Sequence, residues 1–190
     1  MKKIILAIDD DLTRSLYRDI LKVGGFNVFD CDKENILFEA LQEFNADLLL
    51  LDLSLENNKG WEIFQKVKKD YPNLPVFLLA NFEVDEYKEK AKKEGATDFL
   101  VISLTPPKEL LLKVKLFFKE VRSYQIEINI NSPELKLWAE DLGFLPNFKC
   151  QKCLVPLQLL LIQDSVRSKN YFKVIMICPK CKDIYFEKED

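Results

Sequence analysis

The chain has 190 residues, 28 Lys and Arg against 31 Asp and Glu, a net charge of −3 and no histidine. That balance excludes nucleic-acid or membrane attraction by bulk charge. The commonest general base and metal ligand is absent, and no apolar run approaches the ~20 residues of a membrane-spanning helix. A hydrophobic fraction of 48% is ample for a packed core. The length suits one ordinary domain plus a small module.

Taken in order, Lys3–Ile8 reads as a buried strand that runs into Asp9, Asp10 and Asp11. The five apolar residues Ile4 to Ile8 are too short a run for a signal-peptide core, so the expected location is the cytoplasm. Leu12–Val23 follows as a helix, with Leu16, Ile20, Leu21 and Val23 as its apolar set and Gly24-Gly25 as its end. Phe26–Phe29 is a short strand. Lys33–Phe44 is a helix with Ile36, Leu37, Ala40, Leu41 and Phe44 on one stripe. Leu48–Asp52 is a strand, and the loop Ser54–Gly60 leads to a helix over Trp61–Asp70 that Tyr71-Pro72 stops. Leu74–Leu79, Val84–Glu94, Thr97–Ile102 and Pro107–Val121 complete an alternation of five strands and five helices. With right-handed crossovers this is an α/β, five-stranded, doubly wound parallel sheet.

The most informative stretch is Ala46–Ser54, A-D-L-L-L-L-D-L-S. Leu48 to Leu51 are too apolar for a half-exposed strand and fit a central strand covered on both faces. Such a strand delivers Asp52 to the crevice at the carboxyl end of the sheet, where ligands of this architecture bind. Asp9 and Asp10, at the end of the first strand, are expected to converge on Asp52. Three carboxylates repel unless a hard divalent cation sits among them, and oxygen ligands with retained waters suit Mg²⁺. A carboxylate beside such an ion can serve as nucleophile toward a phosphoryl group. The plainer reading makes the acids caps of the first helix, and Asp11 is assigned to that role.

These residues carry a resemblance. I-L-A-I-D-D-D at Ile5–Asp11, L-L-L-L-D-L-S at Leu48–Ser54, Gly60 and P-V-F-L-L at Pro75–Leu79 are similar, in kind and spacing, to a response-regulator receiver domain over residues 1–122. The resemblance implies a flavodoxin-like receiver, with Asp52 as phospho-acceptor. It also implies Mg²⁺ held by Asp9, Asp10, Asp52 and the Ser54 backbone carbonyl, and Phe99 at the position of a switch aromatic. Two family residues are replaced. The Thr or Ser that ends the fourth strand is Ala80, and the Lys-Pro that ends the fifth is Ile102-Ser103. The lost hydroxyl and ammonium would have bonded a phosphoryl group, the latter as a charge-assisted partner worth roughly 1.5–3 kcal/mol. The expectation is a degenerate receiver that gathers a cation but transmits phosphorylation poorly. Lys59 and Lys108 are the candidates to replace the cation, and both read as surface lysines.

Residues 123–148 read as an ordered linker, with an alternating strand at Gln125–Asn131 and a short helix capped by Ser132. Trp138, Phe144 and Leu145 offer either a docking surface or packing between domains. Residues 149–190 carry Cys150-x-x-Cys153 and Cys178-x-x-Cys181. Two such pairs mark a four-sulfur metal site in a reducing compartment rather than a disulfide framework. Leu154–Ile162, Tyr171–Ile177 and Ile184–Phe186 read as its strands. The segment resembles a zinc ribbon or a rubredoxin-like pair of knuckles. Zinc is favoured and iron is the alternative, with Leu154 and Lys182 where knuckles often carry Gly. So small a module needs the metal's binding energy to fold. Cys31, alone, reads as a core residue.

Eight basic and five acidic residues give this module +3, but Zn²⁺ with four thiolates contributes about −2. Tyr171 and Phe172 beside Lys169 and Lys173 are a candidate stacking site, yet protein contact is the preferred reading. The functional expectation is a non-enzymatic signalling adaptor that docks a protein partner, with a homodimer left open. The alternative is a phosphorylation-dependent regulator whose ribbon binds nucleic acid.

Overall fold

A computed structural model describes residues 1–81, 85–119, 123–126, 137, 148–163 and 172–185 of the chain. It divides into two units, Met1–Val114 and Lys115–Asp190. In the first, β1 (Lys3–Ala7), α1 (Asp11–Val23), β2 (Asn27–Cys31), α2 (Glu34–Glu43) and β3 (Leu48–Asp52) are followed by a single turn, α3 (Leu55–Asn58). Then come α4 (Gly60–Asp70), β4 (Val76–Ala80), α5 (Asp85–Lys93), β5 (Asp98–Val101), a 3₁₀ turn at Ile102–Leu104 and α6 (Pro107–Phe117). The five strands pair in parallel in the order β2-β1-β3-β4-β5. The order reverses between β1 and β3, and the crevice beside the ends of these two strands is where such sheets place a ligand.

The apolar runs behave as two-sided strands. Ile4–Ala7, Leu48–Leu51 and Val76–Leu79 are essentially inaccessible to solvent. One face, bearing Ile5, Ala7, Leu49, Leu51, Val76, Leu78, Ala80 and Phe99, packs against α2 (Leu37, Ala40, Leu41), α4 (Ile63, Phe64, Val67) and Ala91 of α5. Alternate residues point to the other face, where α1 buries Tyr17 and Leu21 and α6 buries Leu110 and Val114.

The apolar set of α1 is not all inward: Leu16 and Val23 are 50% and 76% exposed, and Leu12 is 68% exposed. The helix has two apolar stripes. Tyr17 and Leu21 face the sheet, while Leu12, Leu16 and Val23 lie together on the opposite side at helical spacing. The cap is also reassigned. Asp10, not Asp11, is the N-cap and accepts the Thr13 N–H at 2.7 Å, whereas Asp11 begins the helix and pairs with Arg14.

The second unit is a four-stranded antiparallel sheet in the order β6-β7-β8-β9. These strands are β6 (Ser123–Ile126), β7 (Gln158–Gln163), β8 (Phe172–Ile177) and β9 (Ile184–Tyr185). Of the strand expected at Gln125–Asn131, residues 125 and 126 fall in β6, which pairs with β7 in the cysteine module's own sheet, Ser123 opposite Ile162 and Ile126 opposite Leu159; residues 127–131 lie outside the described residues. β6 supplies a partner to β7, which would otherwise present an open edge. Phe148, Leu159 and Met176 form a small apolar cluster beneath this sheet. Trp138, Phe144, Leu145 and the expected helix after Ser132 lie outside the described residues, apart from Leu137, which is exposed. Among the described residues no helix is long and apolar enough to cross a membrane.

Candidate functional site

Asp52 is the last residue of β3 and is 1% exposed. Its Oδ1 accepts the Ser54 N–H at 2.9 Å, and among the described residues no lysine or arginine forms an ion pair with it. Burial raises its pKa, and Asp9 and Asp10 push the same way against the Ser54 hydrogen bonds. A buried carboxylate beside other acids is stabilised in its charged form when a cation pairs with it. The expected convergence is nonetheless incomplete. Asp9 and Asp10 are exposed, and the Asp10 carboxylate is turned to the start of α1, where Thr13 holds its pKa down. Among the described residues, the set of three or more potential ligands gathered within 4.8 Å is the four cysteines, not these acids. The donor set suits Mg²⁺ by chemistry: Asp52 is in place, and the other two acids lie close enough for it to sense.

The loop after β3 explains how Asp52 is held. Glu56, Asn57 and Asn58 all have positive φ, a conformation that costs L-residues energy. The turn is compensated on both sides. Leu55 is fully buried, and the Glu56 carboxylate accepts the Glu34 N–H at 2.8 Å, capping α2, whose own N-cap Lys33 supplies no side-chain bond. The Ser54 carbonyl accepts the Asn58 N–H at 3.0 Å and retains a second lone pair. Gly60 is where α4 meets the backbone of the site. A Cβ there would lie 2.3 Å from the Asp52 carbonyl oxygen and 2.4 Å from the Leu53 Cα. Both are backbone atoms and cannot rotate away. Gly60→Ala is expected to lower the stability of the first unit by about 1–3 kcal/mol, the usual cost of overpacking, as measured by urea denaturation. An unchanged midpoint would show that α4 can slide off this contact.

The neighbouring strands β4 and β5 end in Ala80 and Val101, with Ile102 next in the chain. Ala80, paired with Val101, is 6% exposed and packs in the core. Ile102 opens the 3₁₀ turn. Phe99 is 8% exposed, seated inward against the same core. The loop beyond is fastened from α1, because the buried Tyr17 hydroxyl donates to the Thr105 carbonyl at 2.7 Å. Burial, with Glu109 and Asp52 nearby, pushes Tyr17 up to about 12. Arg14 donates to the Ile8 and Asp9 carbonyls at 2.7 and 3.0 Å. It thus binds the backbone at the end of β1 rather than the Asp52 carboxylate. The Lys59 ammonium sits 4.0 Å from Glu56 and Lys108 is exposed. Neither the Tyr17 tether nor the Glu56 cap was legible from residue spacing, since each joins elements far apart in the chain.

The four cysteines do meet. Cys150 Sγ and Cys181 Sγ are 3.6 Å apart, and all four sulfurs lie within 4.8 Å of one another. A tetrahedral ion with arms of about 2.3 Å needs edges of about 3.8 Å, so the set fits a four-sulfur metal. When bound, such an ion cross-links the two knuckles. Backbone N–H groups already point at the sulfurs, Cys153 to Cys150 Sγ at 3.3 Å and Cys181 to Cys178 Sγ at 3.4 Å. Burial works against ionisation of Cys150. Hydrogen bonds from the Tyr185 hydroxyl and the Cys153 and Lys152 N–H groups outweigh it and bring the thiol down to about 6. Burial raises Cys153 and Cys181. Leu154 and Lys182 adopt φ of 56° and 61°, the left-handed turns that made glycine the residue to look for at those positions. Cys31 is buried in the first unit's core. Burial, with Asp30 and Asp32, pushes it up to about 12, so it remains a protonated apolar filler. Of the candidate stacking group, Tyr171 and Lys169 lie outside the described residues.

Comparison with known proteins agrees with this architecture. The model of the response regulator receiver domain matches residues 4–115, and the chain belongs to that family. A cyclic di-GMP phosphodiesterase of Thermotoga maritima is 31% identical over 97 residues, 51% of this chain and 26% of that protein. The transcriptional regulatory protein SrrA of Staphylococcus aureus is 24% identical over 125 residues, 66% of this chain and 51% of its own length. The chain thus spans about half or less of these relatives. Among solved structures, a CheY-like receiver domain protein of Methanospirillum hungatei superposes with a TM-score of 0.57 at 22% identity, covering 63% of this chain and 95% of that one. The beryllofluoride-activated DrrB receiver domain gives 0.56 at 26% identity, covering 63% and 98%.

Proposed function

We propose that the chain is an atypical response regulator that works as a signalling adaptor through protein contacts, with its four-cysteine module held by structural zinc. The observation that carries this reading is the composition of the crevice. Asp52 is buried with a backbone N–H as its hydrogen-bond donor, while the ends of β4 and β5 present Ala80 and Ile102 instead of a hydroxyl and an ammonium. Mg²⁺ held by Asp9, Asp10, Asp52 and the Ser54 carbonyl would neutralise the pocket. A phosphoryl group on Asp52 would find no charge-assisted partner at the strand ends to pull the surrounding loops inward. The Tyr17–Thr105 hydrogen bond fastens the loop that such a switch would have to move. The exposed stripe Leu12, Leu16 and Val23 on α1 supports a protein rather than a nucleic-acid partner, since apolar rather than basic side chains face outward there.

The test is incubation of the full chain with a small phosphodonor and Mg²⁺, followed by intact mass and backbone amide shifts. The expected result is shifts confined to the residues around Asp52, whether or not an adduct accumulates. A stable adduct with large shifts at Phe99 would overturn the proposal.

A further inference from the structure

The two knuckles are near-copies. Cys150 N–H donates to Val155 O and Cys178 N–H to Asp183 O, both at 2.9 Å, and Leu154 N–H donates to Cys150 O as Lys182 N–H does to Cys178 O, again at 2.9 Å. Continued along both segments, this correspondence pairs Gln151 with Pro179 and Leu157 with Tyr185. The symmetry breaks at those two pairs. In the first knuckle, the Gln151 N–H donates to the Tyr185 hydroxyl at 3.2 Å. That hydroxyl in turn donates to Cys150 Sγ at 3.3 Å. In the second knuckle the equivalent backbone position is Pro179, which has no N–H to give, and the equivalent side chain is Leu157, which has no hydroxyl. Cys178 receives the Cys181 N–H, and its side-chain partners are the thiols of Cys153 and Cys181; among the described residues no hydroxyl reaches it.

We propose that Tyr185 is a positioning residue for the metal centre: its hydroxyl, oriented by the Gln151 N–H, hydrogen-bonds Cys150 Sγ and makes the two knuckles inequivalent as ligands. The proposal rests on the four-sulfur metal reading. A hydrogen bond to a thiolate draws charge from sulfur and fixes its direction, so it both tunes the metal–sulfur bond and holds the ligand against exchange. Cys150 becomes the anchored sulfur. The Cys178–Cys181 knuckle, without that donor, is the half that opens first when metal leaves.

The experiment loads the full chain with Co²⁺ in place of the native metal. Wild type is expected to show the ligand-field bands of a tetrahedral site and a sulfur-to-cobalt charge-transfer band. Tyr185→Phe keeps the ring and is expected to retain the tetrahedral bands. Its charge-transfer band should move to lower energy, because the sulfur donor orbital rises when the hydrogen bond is lost. Loss of cobalt to a competing chelator should be about tenfold faster. Gln151→Pro, which copies the Pro179 geometry and leaves the tyrosine in place, is expected to move the band the same way by less. An unmoved charge-transfer band with unchanged chelator kinetics in both variants would overturn the role of Tyr185. Absence of tetrahedral bands in wild type would instead overturn the metal-centre reading beneath it.

Discussion

Removal of metal with a strong chelator is expected to unfold β6–β9 while the parallel sheet stays folded. Below ~70–80 residues an apolar core alone rarely supplies more than about 3–5 kcal/mol, and the cluster of Phe148, Leu159 and Met176 is small. A structural zinc site contributes about 10–16 kcal/mol at neutral pH, so the metal term exceeds the core term severalfold. The left-handed turns at Leu154 and Lys182 add strain that the apo module must also carry. The receiver core draws on β1, β3 and β4, with their fully buried Ile, Leu and Val side chains, and has no cysteine ligand. Amide spectra should therefore lose the dispersed signals of 148–163 and 172–185 and keep those of residues 3–114. Cys178→Ser should do the same at equal zinc. A module that keeps its dispersion without metal would show that its apolar core is sufficient.

Asp52→Asn is expected to stabilise the metal-free receiver by about 3 kcal/mol at neutral pH. An uncompensated buried charge costs on the order of 3–5 kcal/mol, and the amide keeps the shape and the Ser54 N–H partner. The sign follows from the raised pKa. An acid whose folded pKa lies above its unfolded value is favourable to folding while protonated. That benefit is complete below the unfolded pKa of about 3.9 and is lost as pH rises through the folded value. The stability difference between variant and wild type should thus be near zero in acid and grow to its full size toward pH 7. Asp47 works in the opposite direction. The Lys2 ammonium and the Lys3 N–H lower its pKa, so its contribution is present above the ordinary carboxylate range and fades as pH falls. It is common to both proteins and cancels in the difference. Mg²⁺ at a hundredfold excess over its dissociation constant adds about 2.7 kcal/mol to wild type and should add little to the variant. Urea midpoints with and without Mg²⁺ read all of these effects. A variant less stable than wild type at neutral pH would contradict the buried, cation-seeking state of Asp52.

Much of this was legible in the chain because the signals were local. Leu48–Leu51 and Val76–Leu79 could only be two-sided strands, and each C-x-x-C brings its own backbone N–H groups to its sulfurs. In α1 the apolar set did not resolve into faces: Leu16 and Val23 share the apolar character of Leu21 but are exposed where Leu21 is buried. Nothing in composition says which of two stripes meets the sheet. The alternation at Gln125–Asn131 pointed to a strand whose first two residues fall in β6 (Ser123–Ile126), but its partner was not legible, since pairing with Gln158–Gln163 spans the whole intervening segment. The left-handed run Glu56–Asn58 depends on Leu55 being buried and on Glu56 reaching α2, both tertiary effects. Tyr185 was detectable in principle. Aligning Cys150–Leu157 with Cys178–Tyr185 exposes Gln151/Pro179 and Leu157/Tyr185 among the positions where the repeats differ in hydrogen-bonding capacity.

The most direct test places at the strand ends the hydroxyl and ammonium that the proposed adaptor reading takes to be missing. Wild type and an Ala80→Thr, Ile102→Lys double variant are treated with phosphodonor and Mg²⁺, and backbone amide shifts are mapped onto β4, β5 and Phe99. Wild type is expected to show local shifts near Asp52, and the double variant shifts that spread to Phe99. Wild-type shifts that already extend through Phe99 would contradict the adaptor reading.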